Sequence, residues 1–127
     1  MVWLGVALGG ALGSVARYAA TEIMARRYGS EFPLGTLLVN VAGSLLVGLL
    51  AGVLVNAERP DSLPRLFLIV GFCGGFTTFS AFSLQTLELL QAGQPAKAAM
   101  NVALSIALCL LAVWAGHALA AALRKGG

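Results

Sequence analysis

Four stretches of this 127-residue chain are nearly free of charge, and their lengths limit the fold more than any other feature. They run from Met1 past Arg17 to Thr21, from Phe32 to Ala57, from Leu66 to Leu87 and from Ala98 to Leu123. Each approaches or exceeds the ~20 apolar residues that carry an α-helix across a bilayer. With 59% hydrophobic and 10% charged residues, the chain lacks the polar surface of a water-soluble globule. The sequence predicts an all-α integral membrane protein, multi-pass in a cell (inner or plasma) membrane, forming one membrane domain over 1–127. Four transmembrane helices are expected at about 2–24, 33–57, 63–75 plus 79–90, and 97–123. No Lys or Arg precedes the first apolar run, so it reads as a retained helix and not as a leader.

The third stretch departs from a regular helix at its centre. Gly74-Gly75-Phe76-Thr77-Thr78-Phe79-Ser80-Ala81-Phe82-Ser83 straddles the midpoint of Leu66 to Leu87. Adjacent glycines each lower helix propensity by about 1 kcal/mol, and the hydroxyls of Thr77, Thr78 and Ser80 compete for backbone groups. At membrane depth, non-helical backbone persists only when buried in protein or lining a polar cavity. The segment therefore reads as two half-helices joined by a short unwound turn at the bilayer midplane, with freed carbonyls and amides directed at an ion. A Gly-Gly pair alone reads as a close-packing surface; the hydroxyl cluster after it favours the break.

The other helices carry small-residue and polar faces. Gly5, Gly9 and Gly13 recur every four residues in the first, with Gly10 and Ser14 beside them, a pattern that lets another backbone approach closely. Arg17 is costly inside a membrane, and three readings stand: snorkelling to the headgroups, a structural pairing, or an electropositive vestibule. In the second helix Thr36, Asn40 and Ser44 share one face. Asn40 reads either as interhelical hydrogen-bond glue or as a pore-lining amide whose NH2 donates to an anion. Phe79 and Phe82 project from nearly the same side of the second half-helix. Their rings are core packing or, because a phenyl edge is the positive part of its quadrupole, a support for a small anion. Asn101, Ser105 and Cys109 form a second polar track on the fourth helix, as glue or as pore wall. Cys73 and Cys109 themselves read as small apolar packing residues.

Charge narrows the function classes. The net charge of +3 comes from basic residues scattered between helices, which form no nucleic-acid patch. No metal-ligand cluster and no nucleophile-base pairing of an enzyme stands out. Across four spans, Arg59, Arg65, Arg124 and Lys125 fall on one side and Arg17, Arg26, Arg27 and Lys97 on the other. An excess of Lys and Arg normally marks the cytoplasmic side, and this even division gives no orientation. Insertion in both directions, with each chain paired to its own inverted copy, would account for it; so would a count too coarse for so few charges.

At these residues the chain resembles the Fluc (CrcB-type) family of small fluoride channels. GGALGSVARY at Gly9 to Tyr18, GTLLVNVAGS at Gly35 to Ser44 and GFCGGFTTFSAFS at Gly71 to Ser83 stand in the family's order, and the match covers essentially the whole chain. The resemblance implies a dual-topology antiparallel homodimer with two fluoride pores, each built from both subunits. It also implies a structural Na+ at the dimer interface, held by backbone carbonyls that transfer to Gly74 and Thr77. Asn40 is then a pore-lining donor, Phe79 and Phe82 meet fluoride through their edges, and Ser105 belongs to the polar track. Arg17 matches the family's first-helix arginine and, with Thr78 and Ser80, is a candidate for the pore or its vestibule. Cys109 stands where a further hydroxyl would extend the track.

The implied activity is a fluoride-selective channel that lets F- leave the cytoplasm down its electrochemical gradient and so confers fluoride resistance, with no catalysis. Its expected partners are its own inverted copy, fluoride and the lipid bilayer. The alternative is a small proton-coupled multidrug exporter, which needs an ionisable carboxylate deep in the membrane; Glu22 and Glu88 lie near helix ends. A scaffold that transports nothing is a third reading, and it gives no reason for hydroxyls beside two midplane glycines.

Overall fold

The computed structural model describes residues 1–54 and 59–127, and all of its regular structure is helical. The expected last turn of the second helix, residues 55–57, and Glu58 in the loop after it lie outside the described residues. The elements are α1 (Val2–Tyr28), α2 (Leu34–Leu54), α3 (Leu63–Arg65), a π-helical segment π1 (Leu66–Cys73), α4 (Gly74–Phe76), α5 (Phe79–Gln91) and α6 (Pro95–Lys125). Val2–Tyr28, Leu34–Leu54, Leu63–Gln91 and Pro95–Lys125 are long and apolar enough to cross a membrane. This is a multi-pass membrane protein.

Helix ends follow local chemistry. α1 continues beyond residue 24 to Tyr28, because nothing in Ala25-Arg26-Arg27-Tyr28 breaks a helix and Arg26 reaches back one turn to Glu22 at 3.5 Å. It stops at Gly29, whose φ of 81° favours glycine and whose N–H returns to the Ala25 carbonyl at 2.9 Å. α6 begins at Pro95, ahead of residue 97, since a proline at the first helical position gives up an N–H that has no intrahelical partner. The turn before it holds Gly93 at φ 71°.

The third span is the irregular one. It is π-helical over Leu66–Cys73, and the helix then resumes for Gly74–Phe76 only. Thr77 (φ −86°, ψ 158°) and Thr78 (φ −153°, ψ 114°) have extended backbone, and α5 starts at Phe79. Two residues of strand-like chain thus separate α4 from α5 inside one apolar run.

Glycine contacts join the helices in two close pairs. On α1, a Cβ at Gly9 would fall on the Phe67 carbonyl and one at Gly13 on the Phe72 carbonyl, while a Cβ at Gly75 would fall on that of Gly10. On α2 and α6, Gly48 meets the Val113 carbonyl and Gly116 the Leu45 carbonyl. Backbones at this range gain dispersion that larger side chains would prevent, which is how helices associate where no hydrophobic effect drives them. Arg124 ties the ends of the second pair, its Nη1 donating to the Gly52 carbonyl at 2.6 Å. Trp3, Leu12, Trp114 and Leu123 are exposed on the outer faces, where lipid tails suit them.

Candidate functional site

The interruption at Thr77 and Thr78 frees backbone groups that a continuous helix would pair, and most of them find other partners. The Cys73 carbonyl accepts both the Thr77 N–H at 3.0 Å and the Thr77 hydroxyl at 2.9 Å. Asn40 on α2 holds Thr78 by both ends of its amide: Nδ2 donates to the Thr78 carbonyl at 3.0 Å and Oδ1 accepts the Thr78 N–H at 2.7 Å. This imitates one rung of a β-ladder and explains how two extended residues survive within a helical span. The Thr78 hydroxyl caps α5 by accepting the Ala81 N–H at 3.1 Å, and lies 3.2 Å from the Ser80 hydroxyl. Arg17, half-buried on α1, donates Nε to the Gly75 carbonyl at 3.1 Å.

Three carbonyls remain: that of Phe76, whose helical donor would be the Ser80 N–H across the break, and those of Gly74 and Thr77. In an unbroken helix Gly74 would accept from the Thr78 N–H and Thr77 from the Ala81 N–H, but those donors go to Asn40 and to the Thr78 hydroxyl. Among the described residues no hydrogen bond reaches any of these carbonyls. Gly74 is exposed, and a Cβ there would meet nothing nearer than the Ile69 carbonyl at 3.9 Å, so this glycine looks outward while Gly75 is packed on α1.

Beside the interruption lies a cavity of about 480 Å³ whose wall includes Asn40, Gly74, Thr77, Thr78, Phe79, Phe82 and Ser105. Residues from α2, α4, α5 and α6 thus converge. Of the expected site residues, Arg17 and Ser80 are not on this wall. Phe79 and Phe82 stack obliquely, with ring centroids 5.3 Å apart and planes at 48°. Phe79 is 78% exposed in the single chain. Ser105 is 8% exposed, and among the described residues its Oγ has no hydrogen-bond partner. Val47, Ile69, Ile106 and Leu110 make much of the remaining wall apolar, and Ser44 adds a further hydroxyl residue.

Some roles differ from the reading of the residues alone. Asn40 is first a clamp: its oxygen and one N–H are committed to Thr78, leaving one N–H for the cavity. Of the readings open for Arg17, the structural pairing is the one seen, with a backbone carbonyl as partner. Cys73 and Cys109, expected as packing residues, both border the cavity. A second cavity of about 470 Å³, bordered by Glu22, Thr36, Gln85 and Glu88, was not anticipated. The Gln85 Oε1 is buried there without a partner. The available signal was the three-residue step from Phe82 to Gln85, which continues the Phe79 to Phe82 face along α5.

Residues 4–117 match the family model described as CrcB-like protein, Camphor Resistance (CrcB). The chain belongs to the CrcB-like family. It is 48% identical over 128 residues to a Methylocella silvestris protein named "Fluoride-specific ion channel FluC", with 98% of this chain and 97% of the relative covered. A Rhodospirillum rubrum protein of the same name is 47% identical over 129 residues, with 99% of each chain covered. One from Opitutus terrae is 49% identical over 126 residues, with 98% and 96% covered. The CrcB-like match takes in the whole interruption and every residue named on the first cavity's wall, and ends before the Arg124 anchor.

Proposed function

We propose that this chain is a fluoride-selective channel that passes F- out of the cytoplasm down its electrochemical gradient, and that it works as an antiparallel homodimer whose third helix is broken at the bilayer midplane. The names carried by its full-length CrcB-like relatives support this reading. Within the molecule, Ser105 carries it: a hydroxyl 8% exposed and without a partner, on the wall of a largely apolar cavity, needs an acceptor to enter.

The wall suits a small anion. Fluoride is a strong acceptor that must exchange its hydration shell for donors, and weak, multiple donors let it leave again. Ser105 offers an O–H, Asn40 its remaining N–H and the two phenyl rings their positive edges. The two rings are tilted at 48° to one another and both border the cavity. Among the described residues no carboxylate lines this cavity, so an entering anion meets no like charge and a proton-coupled exporter has no carrier there. Arg17 acts from outside the wall, fixing the Gly75 carbonyl; Thr78 lines the path at the start of α5, and Ser80 reaches it through the Thr78 hydroxyl.

A structural Na+ is part of the proposal. The unpaired Gly74 and Thr77 carbonyls are neutral oxygen donors of the kind a hard cation takes, and Gly74 faces away from its own chain. An in-plane two-fold axis at the midplane would bring the same pair from an inverted copy, making four oxygens. The ion's charge, when bound, would favour anions nearby. The exposure of Phe79 fits the same arrangement, since a partner's surface would complete its side of the path.

Fluoride release from liposomes holding the purified protein, followed by electrode beside a matched chloride gradient, tests the function. Fast fluoride release with little chloride release and no imposed proton gradient is expected. Verified dimers that release no fluoride would refute the channel.

A further inference from the structure

Among the described residues Asn101 is the largest fully buried side chain, at 2% exposed, and nothing in the path described so far uses it. A primary amide inside a membrane protein is costly unless bonded. Its Nδ2 donates to the Thr86 hydroxyl at 3.0 Å, and that hydroxyl in turn donates to the Phe82 carbonyl at 2.7 Å. A threonine hydroxyl has one proton, so the chain has a direction: Asn101 on α6 supplies the donor, and Thr86 passes its own to Phe82.

We infer that Asn101 is a positioning residue which, through Thr86, sets Phe82 against the Ser105 wall of the cavity. The inference rests on the channel reading above and deepens it. Two comparisons carry it. The Phe79 carbonyl also takes a hydroxyl from one turn ahead, Ser83 at 2.8 Å, but Ser83 is exposed and no hydrogen bond from α6 reaches it among the described residues. Among the described residues, Phe82 is the one of the two aromatic positions linked to α6; the chain entering Phe79 is held to α2 instead, through Thr78 and Asn40. Second, Asn101 and Ser105 lie four residues apart on one face of α6, as Phe82 and Thr86 do on α5. The link therefore crosses between the helices one turn from the place where Phe82 and Ser105 face the same cavity.

A hydroxyl bonded to the carbonyl four residues back bends its helix locally. Fixing that hydroxyl from α6 fixes both the bend and the approach of α5 to α6. Removing it lets the ring edge move relative to the Ser105 donor, so a selective path widens or closes.

Thr86→Val keeps shape and removes the hydroxyl, Thr86→Ser keeps the hydroxyl, and Asn101→Ala removes the amide. In the liposome assay, Thr86→Val and Asn101→Ala are each expected to lower fluoride release roughly three- to tenfold, the scale of one lost hydrogen bond. The fluoride-to-chloride ratio should fall with it, and Thr86→Ser should retain both. The double variant should lose no more than the worse single one, because the two groups act through one chain. Wild-type fluoride release with either hydroxyl-free or amide-free variant, an unchanged ratio, or losses that multiply would overturn the inference. Thr86→Val decides it if Asn101→Ala does not fold. A wild-type protein that releases no fluoride would refute the channel itself, a separate outcome that removes the inference's footing with it.

Discussion

Replacing Asn40 by leucine tests the clamp that holds the interruption. The side chains are of similar size, so the change removes hydrogen bonds with little change in volume. Two are lost, at 3.0 and 2.7 Å to Thr78. Leaving the Thr78 N–H and C=O each without its partner costs about 1–3 kcal/mol per group when the group is buried. Thr78 is half-buried, so the penalty falls toward the lower end of its range, and a destabilisation of roughly 2–4 kcal/mol is expected. The measurement is unfolding of the purified protein by titrated denaturing detergent, with fluoride release measured on the same preparations. Asn40→Asp separates the clamp from the charge: it keeps the acceptor for the Thr78 N–H but turns a carboxylate oxygen toward the Thr78 carbonyl and puts negative charge on the cavity wall. Its conduction should be abolished. An Asn40→Leu protein that unfolds like the wild type would refute the clamp, and an Asn40→Asp protein with undiminished flux would remove Asn40 from the path.

The remaining tests are simpler. Phe79→Ile and Phe82→Ile should each cut fluoride flux by about tenfold, since an aromatic-edge contact of about 1.4 kcal/mol per ring is lost, and should leave the protein folded by size-exclusion chromatography; normal flux in both would show that the rings only pack. Gly13→Ala places a methyl on the Phe72 carbonyl and is expected to cost about 1–3 kcal/mol. Gly10→Ala meets only the Gly71 carbonyl at 3.9 Å and should be tolerated, so equal unfolding curves for the two would contradict the α1 packing. Carboxyl-terminal tags on the expressed protein should be labelled from both sides of the membrane, and strictly one-sided labelling would sink dual topology.

Length and composition alone determined that the chain is helical with four spans long enough to cross a membrane, because in lipid the backbone has few ways to satisfy its hydrogen bonds and the apolar runs match the ~20 residues of a spanning helix, about twice what a spanning strand needs. The small-residue spacing of α1 and the glycine-hydroxyl run of the third span were legible for the same local reason: glycine and hydroxyl residues alter helices whatever surrounds them. Ends were less legible, since whether Arg26 closes a helix or begins a loop depends on a partner such as Glu22. What the tertiary structure decided was partnership. Asn40 finds Thr78 38 residues away and Arg17 finds Gly75 58 residues away, and no periodicity encodes such meetings. The same holds for the difference between Gly74 and Gly75. As neighbours in sequence they look alike, but one is pressed on α1 while the other faces open space with an unpaired carbonyl, because successive helical positions point about 100° apart.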